Sequence, residues 1–354
     1  MATQRTPGGA VTSVPRGERA IALPAALFVL MVVSALVAAI FYAALQEYRI
    51  GRNDGGAVRA FLAAESGLEA TLAGWDAARL NLLGAGESSV SSGALPSGSG
   101  TWVASVQRLN TREFLVRSSG KDRGGTAWRT VAVVARLAPF DLTVPGAVAS
   151  GGAVTVAAGG LIDGAATDGG PDCPAPDTAP GLVVVDPASV STEFCGSSCV
   201  RGAPPVLADP ALGSPLPVLG DSGEARLARL ASIVLPPGAS RPLPAAAESL
   251  LVVHAAGDLR ITGGEWPGIL LVDGDLEIDG GAHLEGLVVV WGRLTIAGAG
   301  GSVSGAVLAG GIVLGGGLPG AEAAVVYSPC AVRRALLAAA PARPLPERAW
   351  AEIF

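Results

Sequence analysis

The chain changes its hydrophobic rhythm three times. From Ile21 to Leu45 the run IALPAALFVLMVVSALVAAIFYAAL carries no charge. In helical form it extends about 37 Å, enough to cross a hydrocarbon core of about 30 Å with some tilt. The apolar stretch of a secretory signal is much shorter, so the run predicts a membrane helix over 21–45 that is retained. A core helix of a soluble protein is the competing reading, and it accommodates so long an uncharged run poorly. Val58, Phe61, Leu68, Leu72 and Trp75 then recur at helical spacing opposite Arg59, Glu65 and Glu69. That pattern predicts a continuation of the helix over 46–76 with one face for a core. Gly51, Gly55 and Gly56 predict a kink between the halves.

The second rhythm is two. After the Ser/Gly-rich stretch LLGAGESSVSSGALPSGSG, which reads as a flexible linker, come TWVASVQRL, REFLVRSS and AWRTVAVVARL. Trp102, Ala104 and Val106, then Phe114 and Val116, alternate as half-buried strands do. A small antiparallel meander over 77–139, packed on the helix, is the expected unit.

Beyond Pro139 a repeat sets in. GDLRI at Gly257, GDLEI at Gly274 and GRLTI at Gly292 share a spacing near 18, as do Gly268-Ile-Leu-Leu, Gly286-Leu-Val-Val and Gly305-Ala-Val-Leu. A short fixed period predicts a solenoid over 140–327. Leu259 with Ile261, Leu276 with Ile278, and Leu294 with Ile296 would point inward, while Asp258, Arg260, Asp275, Glu277, Arg293 and Thr295 point out. Residues 145–164 share this texture and are expected to stack with the later coils. The Pro-rich 165–249 is expected to be an insertion, with one helix at EARLARLASIV capped by Asp221 and Glu224. Over 328–354, Ser328 and Pro329 stand at the N-cap and first-turn positions of a helix that ends before Pro341. It is expected to cap the open end of the coil, with Trp350 and Phe354 folded back on it.

Composition favours an exported structural protein. Glycine is 50 and proline 26 of 354 residues, aromatics are 5%, and net charge is −6 with Lys121 the only lysine. Without a basic patch, nucleic acid is disfavoured as a partner. The leader 1–20 carries Arg5, Arg16 and Arg19 against Glu18, while Glu47, Arg49, Arg52 and Asp54 follow the apolar run. The N-terminus is therefore expected in the cytoplasm and the remainder outside it. Cys173, Cys195, Cys199 and Cys330 would all face an oxidising compartment, which favours disulfides over a zinc site. Of the three possible pairings, Cys195–Cys199 with Cys173–Cys330 is the one expected.

No constellation for catalysis stands out: His254 and His283 are the only histidines, and nucleophile-elbow, zincin and P-loop patterns are lacking. Asp273, Asp275 and Asp279 form the best acidic cluster, read as solvated turn and strand residues. No catalytic residue, metal or cofactor is expected.

At the leader boundary, GERA-IALPAALFVL resembles the prepilin-class N-terminus, and the resemblance extends through LQEYRIGRNDGGAVRAFLAAESGLEA. It implies cleavage after Ala20 by a prepilin peptidase, leaving Ile21 first, with Pro24 and Ala25 near the start of the mature helix and Leu45 at its end. Two departures stand out. Ala20 replaces the usual Gly, and Ala25 replaces the Glu that meets a neighbouring subunit's amino terminus. The chain is similar in this to PilX-like assembly proteins and tip-class minor pseudopilins, which implies a non-enzymatic subunit of the bacterial inner membrane or a surface filament. Its partners would be other pilin subunits. The fold expected is mainly β: an N-terminal transmembrane helix, a pilin-like meander, then a right-handed β-helix-like solenoid with a C-terminal capping helix. A membrane-tethered β-helix polysaccharide-active enzyme and a polymer-forming scaffold resembling bactofilins are the alternatives.

Overall fold

The structure is a computed structural model that describes residues 19–138, 140, 142–165, 178–192, 195–212, 227–242, 251–297, 299–316, 322–346 and 350–353. Helix α1 spans Arg19–Ala73 as one element of 55 residues, followed by the short α2, Ala77–Leu80. The helix continues through Gly51, Gly55 and Gly56, where a kink between its halves is expected.

Four antiparallel strands follow, β1 (Ser88–Ala94), β2 (Gly100–Arg108), β3 (Glu113–Asp122) and β4 (Trp128–Leu137), in the spatial order β1-β2-β3-β4. Strand β1 corrects the reading of 82–100 as a flexible linker. SSVSSGA pairs with β2 from Ser88 opposite Gln107 to Ala94 opposite Thr101. On the sheet face toward α1, Val106, Phe114, Val116, Val131, Val133 and Ala135, all buried, form a core with Ala64, Leu68 and Trp75.

The remaining mass is a 16-stranded sheet in which every recorded pairing is parallel. Strands β14 (Leu251–Ala255), β16 (Glu265–Val272), β18 (Ala282–Ile296) and β19 (Gly301–Leu314) lie side by side, and β15 (Leu259–Ile261) and β17 (Leu276–Ile278) continue the rungs. Leu259 stands opposite Leu276, Leu276 opposite Leu294, and Leu294 opposite Ile312. Rung-to-rung hydrogen bonds join residues 17, 18 and 19 apart, the spacing of the sequence repeat. Leu259, Ile261, Leu276, Ile278, Leu294 and Ile296 are all buried in one cluster. Gly268, Gly286 and Gly305 form a column with φ of 150°, 131° and 150°, where a Cβ on Gly305 would meet the Gly286 carbonyl. Only glycine turns this corner while strands stack on both sides.

The order of the rungs differs from the order of the chain. Strands β5 (Val148–Ser150) and β6 (Val154–Val156) pair with β19, and β7 (Gly160–Asp163) pairs with β20 (Ala323–Tyr327), so the first rung docks on the last. The described parts of 165–249 are not an insertion. Strands β8 (Leu182–Val184), β9 (Val190–Ser191), β10 (Val200–Arg201) and β11 (Val206–Ala208) extend the sheet beyond β5–β7. Strands β12 (Ile233–Leu235) and β13 (Ala239–Arg241) begin its other end against β14 and β15. Strands of two or three residues between Pro-rich loops carry too little periodicity to be recognised. Of the helix expected at EARLARLASIV, residues 227–229 are helical and Ile233 is already strand; Asp221 and Glu224 lie outside the described residues.

The C-terminal helix, Pro329–Ala338, begins as expected, with Ser328 Oγ accepting from the Ala331 amide at 3.0 Å. Its position is a correction. It lies along the side of the parallel sheet, where Val332, Ala335, Leu336 and Ala339 cover Ile269, Leu271, Leu287, Val289 and Leu308. These rungs read GILLV and GLVVV because both faces of the sheet are buried there, which is why alternation is lost. The chain then leaves the helix. Strands β21 (Ala342–Pro344) and β22 (Trp350–Ile353) pair antiparallel with β4. Trp350 thus completes the small sheet rather than folding back on the helix, with its ring edge-on to Phe61 at 6.0 Å. Phe354 lies outside the described residues.

Candidate functional site

Helix α1 is divided by its surroundings. From Leu23 to Leu45 every side chain is exposed, and Leu23, Phe28, Ile40 and Phe41 each keep two thirds or more of their surface open. Pro24, Ala25 and Leu45 belong to this half, and Ala20 and Ile21 precede it on the helix backbone. The helix is long and apolar enough to cross a membrane, and none of that window is buried against the rest of the chain. Apolar surface on this scale marks a face suited to contact with other apolar surface.

From Gly56 onward the same helix is packed. Ala60, Ala63 and Ala64 are fully buried and Leu68 nearly so. The expected stripe is only partly the buried face: Leu68 and Trp75 are inside, Phe61 and Leu72 are half-buried, and Val58 is 58% exposed. Small residues take over because the sheet comes very close. A Cβ on Gly120 of β3 would stand 2.2 Å from the Ala60 carbonyl and 2.3 Å from the Ala64 amide nitrogen. A Cβ on Gly67 would meet the Trp102 ring at 2.7 Å. Hydrophobic periodicity ranks Ala and Gly low, so this contact gave no strong signal.

The far end of α1 is tied to the end of the C-terminal helix. Asn81, 5% exposed, accepts from Trp75 Nε1 at 2.8 Å and donates to the carbonyls of Ala338 at 2.8 Å and Ala340 at 2.9 Å. Arg108 donates to the Asn81 and Leu83 carbonyls at 2.8 and 2.7 Å and lies over the Phe114 ring. The exposed half of α1 is thus held on a fixed seat.

Of the acidic cluster, Asp275 and Asp279 are engaged with backbone, and Asp258 joins them in this. Asp258 Oδ1 accepts from the Asp275 amide at 2.8 Å, and Asp275 Oδ1 from the Arg293 amide at 2.7 Å. Asp279 Oδ1 accepts from the Gly280 and Ala299 amides, and Arg260 reaches its other oxygen at 3.2 Å. The Ala299 amide above all, then Gly280 and Arg260, hold the Asp279 carboxyl below the usual range. Asp273 meets His254 Nε2 at 3.0 Å, and His283 Nδ1 meets Ser302 Oγ at 2.7 Å. An open cavity of about 330 Å³ lies along Asp258, Arg260, Asp275, Glu277 and Thr295. Its carboxylates at 258 and 275 are the ones that join rungs. Among the described residues no three His, Cys, Asp or Glu side chains gather as a metal site.

Cys195 and Cys199 form a disulfide around a single helical turn that precedes β10. Cys330 is disulfide-bonded too. Cys173 lies outside the described residues, so its pairing with Cys330 stays a proposal.

No family model matches the chain, and no curated protein matches it. Among solved structures the chain is similar to the competence-associated pilin ComZ from Thermus thermophilus, at 14% identity and a TM-score of 0.24, over 86% of this chain and 97% of that one. At that score the likeness carries no argument about this chain.

Proposed function

We propose that this chain is a non-enzymatic minor pilin-like subunit or pilus-assembly protein of the PilX-like kind. The observation that carries the reading is the division of α1 into an apolar half with nothing on it and a second half seated on a sheet through Ala60, Ala64 and Gly120. In this reading the first half crosses the bacterial inner membrane, N-terminus inside, and packs among the helices of other pilin subunits. The parallel sheet is a right-handed β-solenoid of about 18 residues per coil, its core including Leu276, Ile278, Leu294 and Ile296, displayed in the periplasm or on a filament. The engagement of Asp258, Asp275 and Asp279 with backbone amides supports a structural role for the acidic residues over a catalytic one.

Prepilin peptidase would cut between Ala20 and Ile21. The protein recovered from its native membrane is then expected to begin at Ile21 by intact mass and terminal sequencing. A retained leader would overturn the reading. The apolar side chain of Ala25 suits a subunit with no neighbour above it, since an unpartnered carboxylate in lipid is costly. Ala25→Glu is therefore expected not to raise the number of surface filaments; an increase, counted by electron microscopy, would remove the tip position.

A further inference from the structure

The sheet that seats α1 has one end turned toward the apolar half of the helix. The β3–β4 turn lies beside Gly56, whose Cβ would meet Ala127 at 3.3 Å, and the β1–β2 turn is joined to it through the Arg123 amide and the Ser99 carbonyl at 2.9 Å. At 1.5 Å per residue, Gly56 lies about 16 Å along α1 from Leu45. If the apolar run spans the hydrocarbon, this end of the sheet hangs just outside the headgroup layer.

Its chemistry suits that place. Lys121, the only lysine, and Arg123 line an open cavity of about 360 Å³ with Gly98, Gly100, Gly124 and Gly125. Both cations are exposed, and among the described residues neither has an ion pair. The neighbouring carboxylate does not cancel them by contact: Asp122 Oδ1 accepts from the Thr126 and Ala127 amides, each at 2.9 Å. Arg49 and Arg52 on the preceding turns of α1 are balanced by Glu47 and Asp54, Arg59 follows Gly56 on the next turn, and on the sheet Lys121 and Arg123 outnumber Asp122, so this level carries an excess of positive charge. Trp128, directly opposite Lys121 and 62% exposed, supplies an aromatic ring of the kind that settles at a membrane interface.

We propose that this end of the sheet, Lys121 and Arg123 with Trp128, rests on anionic phospholipid headgroups of the bilayer that α1 crosses. The inference builds on the membrane reading above. It gives the molecule a second foothold that stops the displayed mass from swinging about α1. Juxtamembrane cations act over roughly a Debye length, about 8 Å at physiological salt, so the contact is salt-sensitive.

The test uses the full-length protein in nanodiscs of phosphatidylcholine alone and of phosphatidylcholine mixed with phosphatidylglycerol, read by hydrogen–deuterium exchange at residues 121–128. Exchange there is expected to be about fivefold slower in the anionic discs and to lose this protection at high salt. Lys121→Gln with Arg123→Gln should abolish the difference at an unchanged melting temperature, and Lys121→Arg should keep it. Equal exchange in both discs, or protection that survives the double substitution, would overturn the proposal. Equal protection by inorganic phosphate in phosphatidylcholine discs would make this a free-anion site and overturn the lipid assignment. Failure of the protein to enter discs at all would refute the membrane helix itself, a separate and earlier failure.

Discussion

Gly120 bears the closest approach between the two layers of the small sheet domain. Backbone of α1 stands 2.2 Å from where its Cβ would be, and backbone cannot rotate away as a side chain can. Gly120→Ala must therefore push α1 off β3 and is expected to cost about 2 kcal/mol or more, read as a fall in melting temperature in detergent. Gly51→Ala, on the open part of the same helix with nothing within 4 Å, should cause no fall. An equal loss in both would mean that the close approach is not what Gly120 serves. Charge acts at the same scale. Glu113, Asp122 and Asp279 all have carboxyls held below their ordinary range, by Arg136, by the Ala127 amide and by the Ala299 amide respectively. A depressed folded pKa stabilises the fold above the unfolded value, near pH 4, and that contribution is lost as pH falls through the folded value. The melting temperature should thus decline below about pH 4, and less steeply in Asp279→Asn, which has no carboxylate at that corner to protonate. Identical pH profiles would remove Asp279 from the account.

At the scale of elements, legibility followed the surroundings of each one. The inward positions Leu259 to Ile296 could be read because each rung buries one face and wets the other, so alternation and repeat coincide. Strand β1 could not, since Ser and Gly with Val90 58% exposed carry no buried face to betray a strand. The rungs at β8 to β13 are too short for a period, and the spacing between partners there is irregular. The C-terminal helix was legible from Ser328 and Pro329, but what it covers was not. Nor could the seat of α1 be read, because Ala60, Ala63, Ala64 and Gly67 work by their smallness. The tail has the largest consequence of these. Strands β21 and β22 close the edge of β4, which would otherwise offer its unpaired amides and carbonyls to other chains. A chain ending at Pro341 should keep the parallel sheet yet show faster exchange along 128–137 and concentration-dependent aggregation by light scattering. Undiminished protection of β4 would show that the tail is dispensable to the sheet.

The whole molecule is closed by its ends. Val148 pairs with Val307, Val154 with Ile312 and Ile162 with Val325, so the first rung made is held between the last rung and the strands at 182–208. Contacts so distant in sequence form late, because the chain between them must first be ordered, and a parallel stack gains stability only as neighbours arrive. The rung at 148–163 pairs on one side with strands at 182–201 and gains its other neighbour only with residues 301–327, after which the chain goes on to complete the sheet that seats α1. The parallel sheet can thus close before the small sheet does, since the last strands of the small sheet follow residues 301–327 in the chain. Val325→Asp tests the closure. The side chain is fully buried between rungs, and an unpaired carboxylate there should cost several kcal/mol. If the rungs stacked in chain order, the damage would spread to the rungs before 325 and leave 160–163 untouched. With the closure seen here, exchange should quicken at 160–163 and 200–201 together with 301–305, and less at 251–261, four rungs away along the sheet. Unchanged protection at 160–163 would mean that the first rung stands without the last, and that the order of the stack does not govern the order of folding.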